Sequence, residues 1–438
     1  MPATPFDSAI YRDLLGDPEI ARLFTDSAEL RAMMLVEGTL ALVQGRLGLI
    51  PETAGSFLHR AAMEIQIDPA ALAEETGRSA VPVPALVETM RKVLQAPDHA
   101  RYLHWGVTSQ DISETGQMLR LRQALAILEG RLVALTKALG RMAADHAEMP
   151  MAARTYGQIA TPTSFGAVVA GWGAPLLRHL ERLEGLRGRL LCVSLSGAAG
   201  TLSAMGPEGP KVRAALAAEL GLSDPGASWH AGRDRIGELA GWLALVLGSL
   251  GKLGEDALTM TQSGIGELRL SLGGGSSTMP QKVNPVLPSV LVALARYGLG
   301  LAATLQGGAL HRQQRDGAAW ITEWLSLPGL LLATGRATSA ALELTETARP
   351  DPDRMAALLD DGSGLIHAEA LSFALAARMP RPEAQAAVKA LVAEIAGSSR
   401  HLVAEARARW PDLVFPEAAQ LGQAPAEARA FARAAAAL

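Results

Sequence analysis

Seven apolar residues, Leu121, Leu125, Leu128, Leu132, Leu135, Leu139 and Met142, follow one another at alternating spacings of four and three residues. This seam keeps one face of a helix apolar over many turns, the pattern of long helices packed at shallow angles. The helix it predicts runs from about Asp111 to just before Pro150. At 1.5 Å per residue it is a rod of about 50 Å, too long for a small globular domain. A chain with one such rod needs others around it. The stripe itself marks core, and its value is architectural.

Further helical segments are expected at roughly 160–190, 230–265, 284–310 and 318–348. Several are apolar on most faces, so one chain cannot cover them and neighbouring copies are expected to do so. The first hundred residues are punctuated short helices. Asp26 followed by Glu29 resembles a capping box opening a helix that ends near Gly48, before Pro51. Pro82 and Pro84 fall in a connection, and Pro84 suits the first turn of another helix. After Pro350 and Pro352 come shorter helices with charged faces. Composition agrees: 49% of residues are hydrophobic but only 4% aromatic, so strong helix formers such as Ala and Leu supply the apolar mass. The expected fold is all-α, with helical domains at 1–110, 111–355 and 356–438, the middle one a long-helix bundle.

The net charge of -4 provides no basic field for nucleic acid or an anionic membrane. One cysteine, Cys192, excludes an intramolecular disulfide framework and fits a reducing cytoplasm. The opening MPATPFDSAI lacks the basic and apolar regions of a signal peptide. The longest apolar stretch, Val286 to Leu310, is interrupted by Pro288, Arg296 and Gln306, and reads as a buried bundle helix rather than a membrane span.

Chemistry concentrates in residues 273–285, GGGSSTMPQKVNP. Three glycines open φ > 0 to the backbone, and hydroxyls, Lys282 and Asn284 follow just before a long apolar helix. A helix N-terminus beside an ammonium group forms an anion site. Composition alone leaves a flexible linker equally open. The ordered string resembles the GSSxMPxKxNP signature of the fumarase/aspartase superfamily, position by position. The resemblance implies that Ser276 is the base removing a proton α to a carboxylate. It also implies that Lys282 and Asn284, with Met279 nearby, hold that carboxylate as charge builds on it. Such charge is what preorganised donors stabilise best.

Two further segments carry the same resemblance. HWGVTSQD, residues 104–111, is similar to an H-x-G-x-T-S-x-D segment and offers His104, Thr108 and Ser109 to a substrate carboxylate; without the other motifs it reads as helix capping. RTYGQIATP, residues 154–162, resembles R-T-H-x-Q-x-A-x-P, with Arg154, Thr155 and Gln158 as anion and hydrogen-bond contacts. The family histidine is replaced by Tyr156. A histidine that protonates the leaving group is needed when hydroxide or nitrogen departs. It is dispensable when the leaving group is a carboxylate, whose pKa is near 4. The segments Trp229-His230 with Arg233-Asp234-Arg235, and Gly317-Ala318-Ala319-Trp320 with Glu323-Trp324, are similar to those of the muconate cycloisomerase branch, the second with one extra alanine. Without the resemblance, their Trp and Arg residues read as helix packing and surface charge. Ser196-Gly197-Ala198-Ala199-Gly200-Thr201 resembles a family loop near the site.

The resemblance implies a lactone-forming enzyme acting on a small tricarboxylate, with Arg154, Arg312 and Arg315 as cationic contacts. It further implies a homotetramer whose sites combine segments of three chains, and no metal or organic cofactor. A lyase of succinyl adducts and a non-catalytic, crystallin-like protein on the same fold remain open at this point.

Overall fold

The computed structural model describes residues 4–271, 274–275, 278–415 and 420–438. Its six longest helices are α1 (Asp26–Arg46), α2 (Ser109–Asp145), α3 (Phe165–Leu190), α4 (Asp234–Met260), α5 (Val286–Gly307) and α6 (Gly317–Thr347). The expected rod is α2. All six seam leucines are fully buried, and Met142 is half-buried at the far end.

The start of α1 differs from the expectation. Thr25, not Asp26, is the cap: its side chain accepts the Ala28 N–H at 3.2 Å, and Asp26 is the first helical residue. Asp26 and Glu29 instead place negative charge in the first turn, where the helix dipole favours it. α1 then packs tightly against the helix Glu52–Glu64. A Cβ at Gly55 would stand 2.5 Å from the Ala41 carbonyl oxygen, so only glycine allows this approach. Pro84 lies in the first turn of Val83–Leu94, as expected.

Among the described residues three two-stranded antiparallel ladders interrupt the helices. β1 (Pro150–Thr155) pairs with β2 (Gln158–Ser164), β3 (Leu268–Leu270) with β6 (Ala348–Pro350), and β4 (Gly274–Gly275) with β5 (Val283–Asn284). Residues 160–164, expected within a helix, therefore belong to a hairpin, and α3 starts at Phe165.

α4 and α5 are long and apolar enough to cross a membrane by length and composition, and 56% and 50% of their apolar windows are buried within the chain. Such partial burial fits bundle helices. Leu245 on α4, Tyr297 and Leu299 on α5 and Leu325 on α6 remain exposed.

The chain divides into two compact units. The first comprises 1–131, 179–248 and 293–338, and the second 132–178, 249–292 and 339–438. Each of α2 to α6 contributes residues to both. The first unit has a core around Met33, Leu58, Leu86, Leu103 and Ile112. In the second, Leu371, Leu375, Leu391 and Leu402 bind the C-terminal helices together.

Candidate active site

In the first unit the site is organised by one carboxylate. Asp111, fully buried in the first turn of α2, accepts the N–H of Ser196 at 2.8 Å, of Gly197 at 2.9 Å and of Thr108 at 3.1 Å. Its Oδ1 also meets His230 Nε2 at 2.8 Å. The 196–201 loop is thus tied to the start of α2, with Gly197 and Gly200 at φ +73° and +82° making the turn. The same carboxylate reaches back to the Thr108 N–H, as the acidic residue of a capping box does.

His104 adopts φ +64°, an uncommon value for a side-chain-bearing residue. A 2.6 Å bond between its Nδ1 and Oε1 of the fully buried Glu37 side chain holds it there. Burial pulls the imidazole pKa down, but the charge and hydrogen bond of Glu37 outweigh this and raise it above its ordinary value.

Arg315, in the loop before α6, completes the group. Its Nε donates to Gln110 Oε1 at 2.8 Å, and its Nη2 to Thr108 Oγ1 at 3.4 Å and the Ala198 carbonyl at 3.2 Å. All three acceptors are neutral. Among the described residues no carboxylate stands within ion-pair distance of it, so its partners there leave its charge unpaired. Thr108, Ser109, Gln110, Arg315, Trp320 and Trp324 help line a cavity of about 280 Å³. That space suits part of a small acid rather than a large ligand. Arg312 is occupied instead: Asp316 accepts its Nε at 2.7 Å, and Arg312 and the Ala319 N–H hold that carboxyl well below the usual range.

Behind this group lies a knot of charge. Arg233 has only 1% of its side chain exposed. It donates to Glu114 Oε1 at 2.7 Å and to Glu323 at 2.8 and 2.5 Å. Burial works against the guanidinium charge, but the two glutamates more than offset it and raise the pKa. Burial pushes the Glu114 carboxyl up, with the Arg233 charge opposing. The reading of Arg233 as surface charge is thereby corrected. Trp229, by contrast, packs as expected and donates its indole N–H to the Val193 carbonyl at 2.9 Å.

Gln110, Asp111, Glu114, Glu37 and Glu323 were not among the expected site residues. The signal for two of them was present. Continued backwards from Leu121 with the same alternation, the seam lands on Met118, Glu114 and Asp111. Carboxylates in apolar register are buried charges in need of partners.

In the second unit the hairpin β1–β2 carries the 154–162 segment. Thr155 pairs with Gln158 across Tyr156 and Gly157, at φ +50° and +75°, the values of a type I′ turn. Tyr156 sits at the tip, fully exposed. Thr155 and Gln158 are exposed beside it. Arg154, expected as a ligand contact, faces inward in the chain: its two Nη groups bond both oxygens of fully buried Glu267 at 2.8 and 2.9 Å.

The Gly-rich segment is closed by pairing of Gly274 with Asn284 and Gly275 with Val283, just ahead of α5. Lys282 is exposed, and its N–H donates to the Met279 carbonyl at 3.0 Å. Ser276 lies outside the described residues. Cys192 is buried, which pushes its thiol pKa up, as for an inert core residue.

A family model described as "Lyase" matches residues 22–297. The chain is an enzyme of the fumarase/aspartase superfamily of lyases. It is 42% identical to a 3-carboxy-cis,cis-muconate cycloisomerase of Pseudomonas aeruginosa, over 83% of this chain and 80% of that one. It is 37% identical to the enzyme of the same name from Pseudomonas putida, over 88% and 92%. Among solved structures, the 3-carboxy-cis,cis-muconate lactonizing enzyme of Pseudomonas putida matches with a TM-score of 0.91 at 34% identity, covering 98% of this chain and 99% of that one.

Proposed function

We propose that this enzyme interconverts 3-carboxy-cis,cis-muconate and 4-carboxymuconolactone, a step of protocatechuate breakdown through β-ketoadipate. The observation that carries this reading is the likeness, over most of the chain, to several enzymes of that name. The cation of Arg315, left unpaired by its neutral partners, supports it, because a tricarboxylate needs charge-matching donors.

In the direction of ring opening, Ser276 removes the proton α to a bound carboxylate. Lys282, Asn284 and the N-terminus of α5 stabilise the charge that spreads into that carboxylate. The electron pair then forms the double bond as the lactone C–O bond breaks. The leaving oxygen departs as a carboxylate and needs no proton at neutral pH. His104, Thr108, Ser109 and Arg315 bind the other carboxylates. Thr155, Tyr156, Gln158 and Met279 are proposed to border the substrate, while Arg154 acts by anchoring its hairpin to Glu267. The proposed assembly is a cytoplasmic homotetramer whose active sites draw the three segments from three chains, each chain organised as regions 1–110, 111–355 and 356–438. The exposed apolar residues of α4 to α6 support such association.

The test is a spectrophotometric assay with 3-carboxy-cis,cis-muconate beside the Ser276→Ala variant. Loss of the substrate absorbance without fumarate release, abolished by the serine change, is the expected result. Release of fumarate from a succinyl adduct, with no turnover of the muconate, would falsify the assignment.

A further inference from the structure

We propose that Gln110 is a positioning residue that aims the Arg315 guanidinium at the substrate and links it to the buried Arg233 knot. This rests on the reading of Arg315 as a carboxylate contact. Gln110 is fully buried, and both ends of its amide are committed. Nε2 donates to Glu114 Oε1 at 2.8 Å and to the His230 carbonyl at 3.0 Å. Two acceptors on that side fix the nitrogen there, so the oxygen must face Arg315 Nε, 2.8 Å away.

An arginine that is to bind a carboxylate meets two conflicting demands. It must be held in one rotamer, since ordering a long side chain on binding weakens affinity. It must also keep its charge, which a neighbouring carboxylate would neutralise. Arg154, Arg233 and Arg312 are held by carboxylates. A neutral amide meets both demands by fixing Nε without cancelling the charge. Glu114 could not do so, because a carboxylate against Arg315 would offset its charge. Gln110 therefore stands between an anionic, immobile network and a cation left available for ligand. Its neighbours Asp111 and Glu114 on α2 are both carboxylates, so the one neutral residue among these three faces Arg315.

A double-mutant cycle in the assembled enzyme tests this, with KM and kcat measured for Gln110→Met, Arg315→Lys and the pair. Lysine keeps the charge but lacks the Nε–H that Gln110 accepts. Each single change is expected to raise KM about tenfold with a smaller effect on kcat, as loss of a ligand contact does. The double variant is expected to be no worse than Arg315→Lys. A KM that rises by the product of the single effects, or a Gln110→Met enzyme with unchanged KM, overturns the inference and leaves the Arg315 reading standing. Wild-type KM in Arg315→Lys overturns both. Should Gln110→Met not fold, Gln110→Glu carries the test. Its KM relative to the parent is expected to climb with pH as the new carboxyl ionises and takes up the Arg315 charge. A flat ratio is the contrary result.

Discussion

Two arginines, one in each unit, were expected to do the same work, and the structure treats them differently. Arg154 spends its fork on Glu267, a carboxylate with no exposed surface. Arg315 rests on an amide, a hydroxyl and a carbonyl. The first arrangement holds a hairpin in place; the second keeps a cation ready for a ligand. The lesson is that an arginine's chemistry is set by whether its partner is charged.

The comparison breaks most readily at Arg154. Arg154→Ala strands a buried carboxylate and is expected to lower stability by about 3–5 kcal/mol, read from the denaturant midpoint. A variant as stable as the parent but with a greatly raised KM would make Arg154 a ligand contact after all. Arg315→Ala is expected to do the reverse. It removes a charge-assisted contact of about 1.5–3 kcal/mol, so KM should rise roughly ten- to hundredfold, with a smaller stability loss than in Arg154→Ala.

A smaller effect belongs to the Glu37–His104 pair. The folded imidazole pKa is raised, so its stabilisation is fully present below the ordinary histidine value of about 6.5 and is lost as pH rises through the folded value. The Tm gap between parent and Glu37→Gln should be widest below about pH 6.5 and narrow toward alkaline pH. A gap that widens with pH contradicts the pairing. The least change is expected at Tyr156, which is fully exposed at a hairpin tip. Tyr156→Phe should alter stability by less than about 0.5 kcal/mol and leave most of the turnover. Loss of turnover would make the phenol an acid in the reaction.

The long helices were legible because their signal is repeated over many turns. The seam from Leu121 to Met142 needs no knowledge of what packs on it. The hairpin at 150–164 was not legible, since Ala, Thr and Pro in its strands show no clean alternation and its register depends on the facing strand. The first cap was misplaced by one residue because Thr25 and Asp26 are both good caps and only geometry chooses between them. Site segments were legible as ordered strings, whereas the charges' partners were not. Arg233 finds Glu114 and Glu323 at sequence separations of 119 and 90, and Arg154 finds Glu267 at 113. No local pattern predicts such pairs. They decide which charges are buried scaffolding and which are left to act.

The way the two units draw on the chain has a consequence for dissection. Each is assembled from three separate stretches, and the divisions fall inside α2 to α6. A chain trimmed after residue 338 keeps all of the first unit, and one trimmed before residue 132 keeps all of the second, but each also carries stretches of the other unit that have lost their partners. Because those stranded stretches expose apolar surface, shortened genes should yield insoluble or proteolysed product, and halves of this enzyme would have to be recovered by co-expression of complementary pieces.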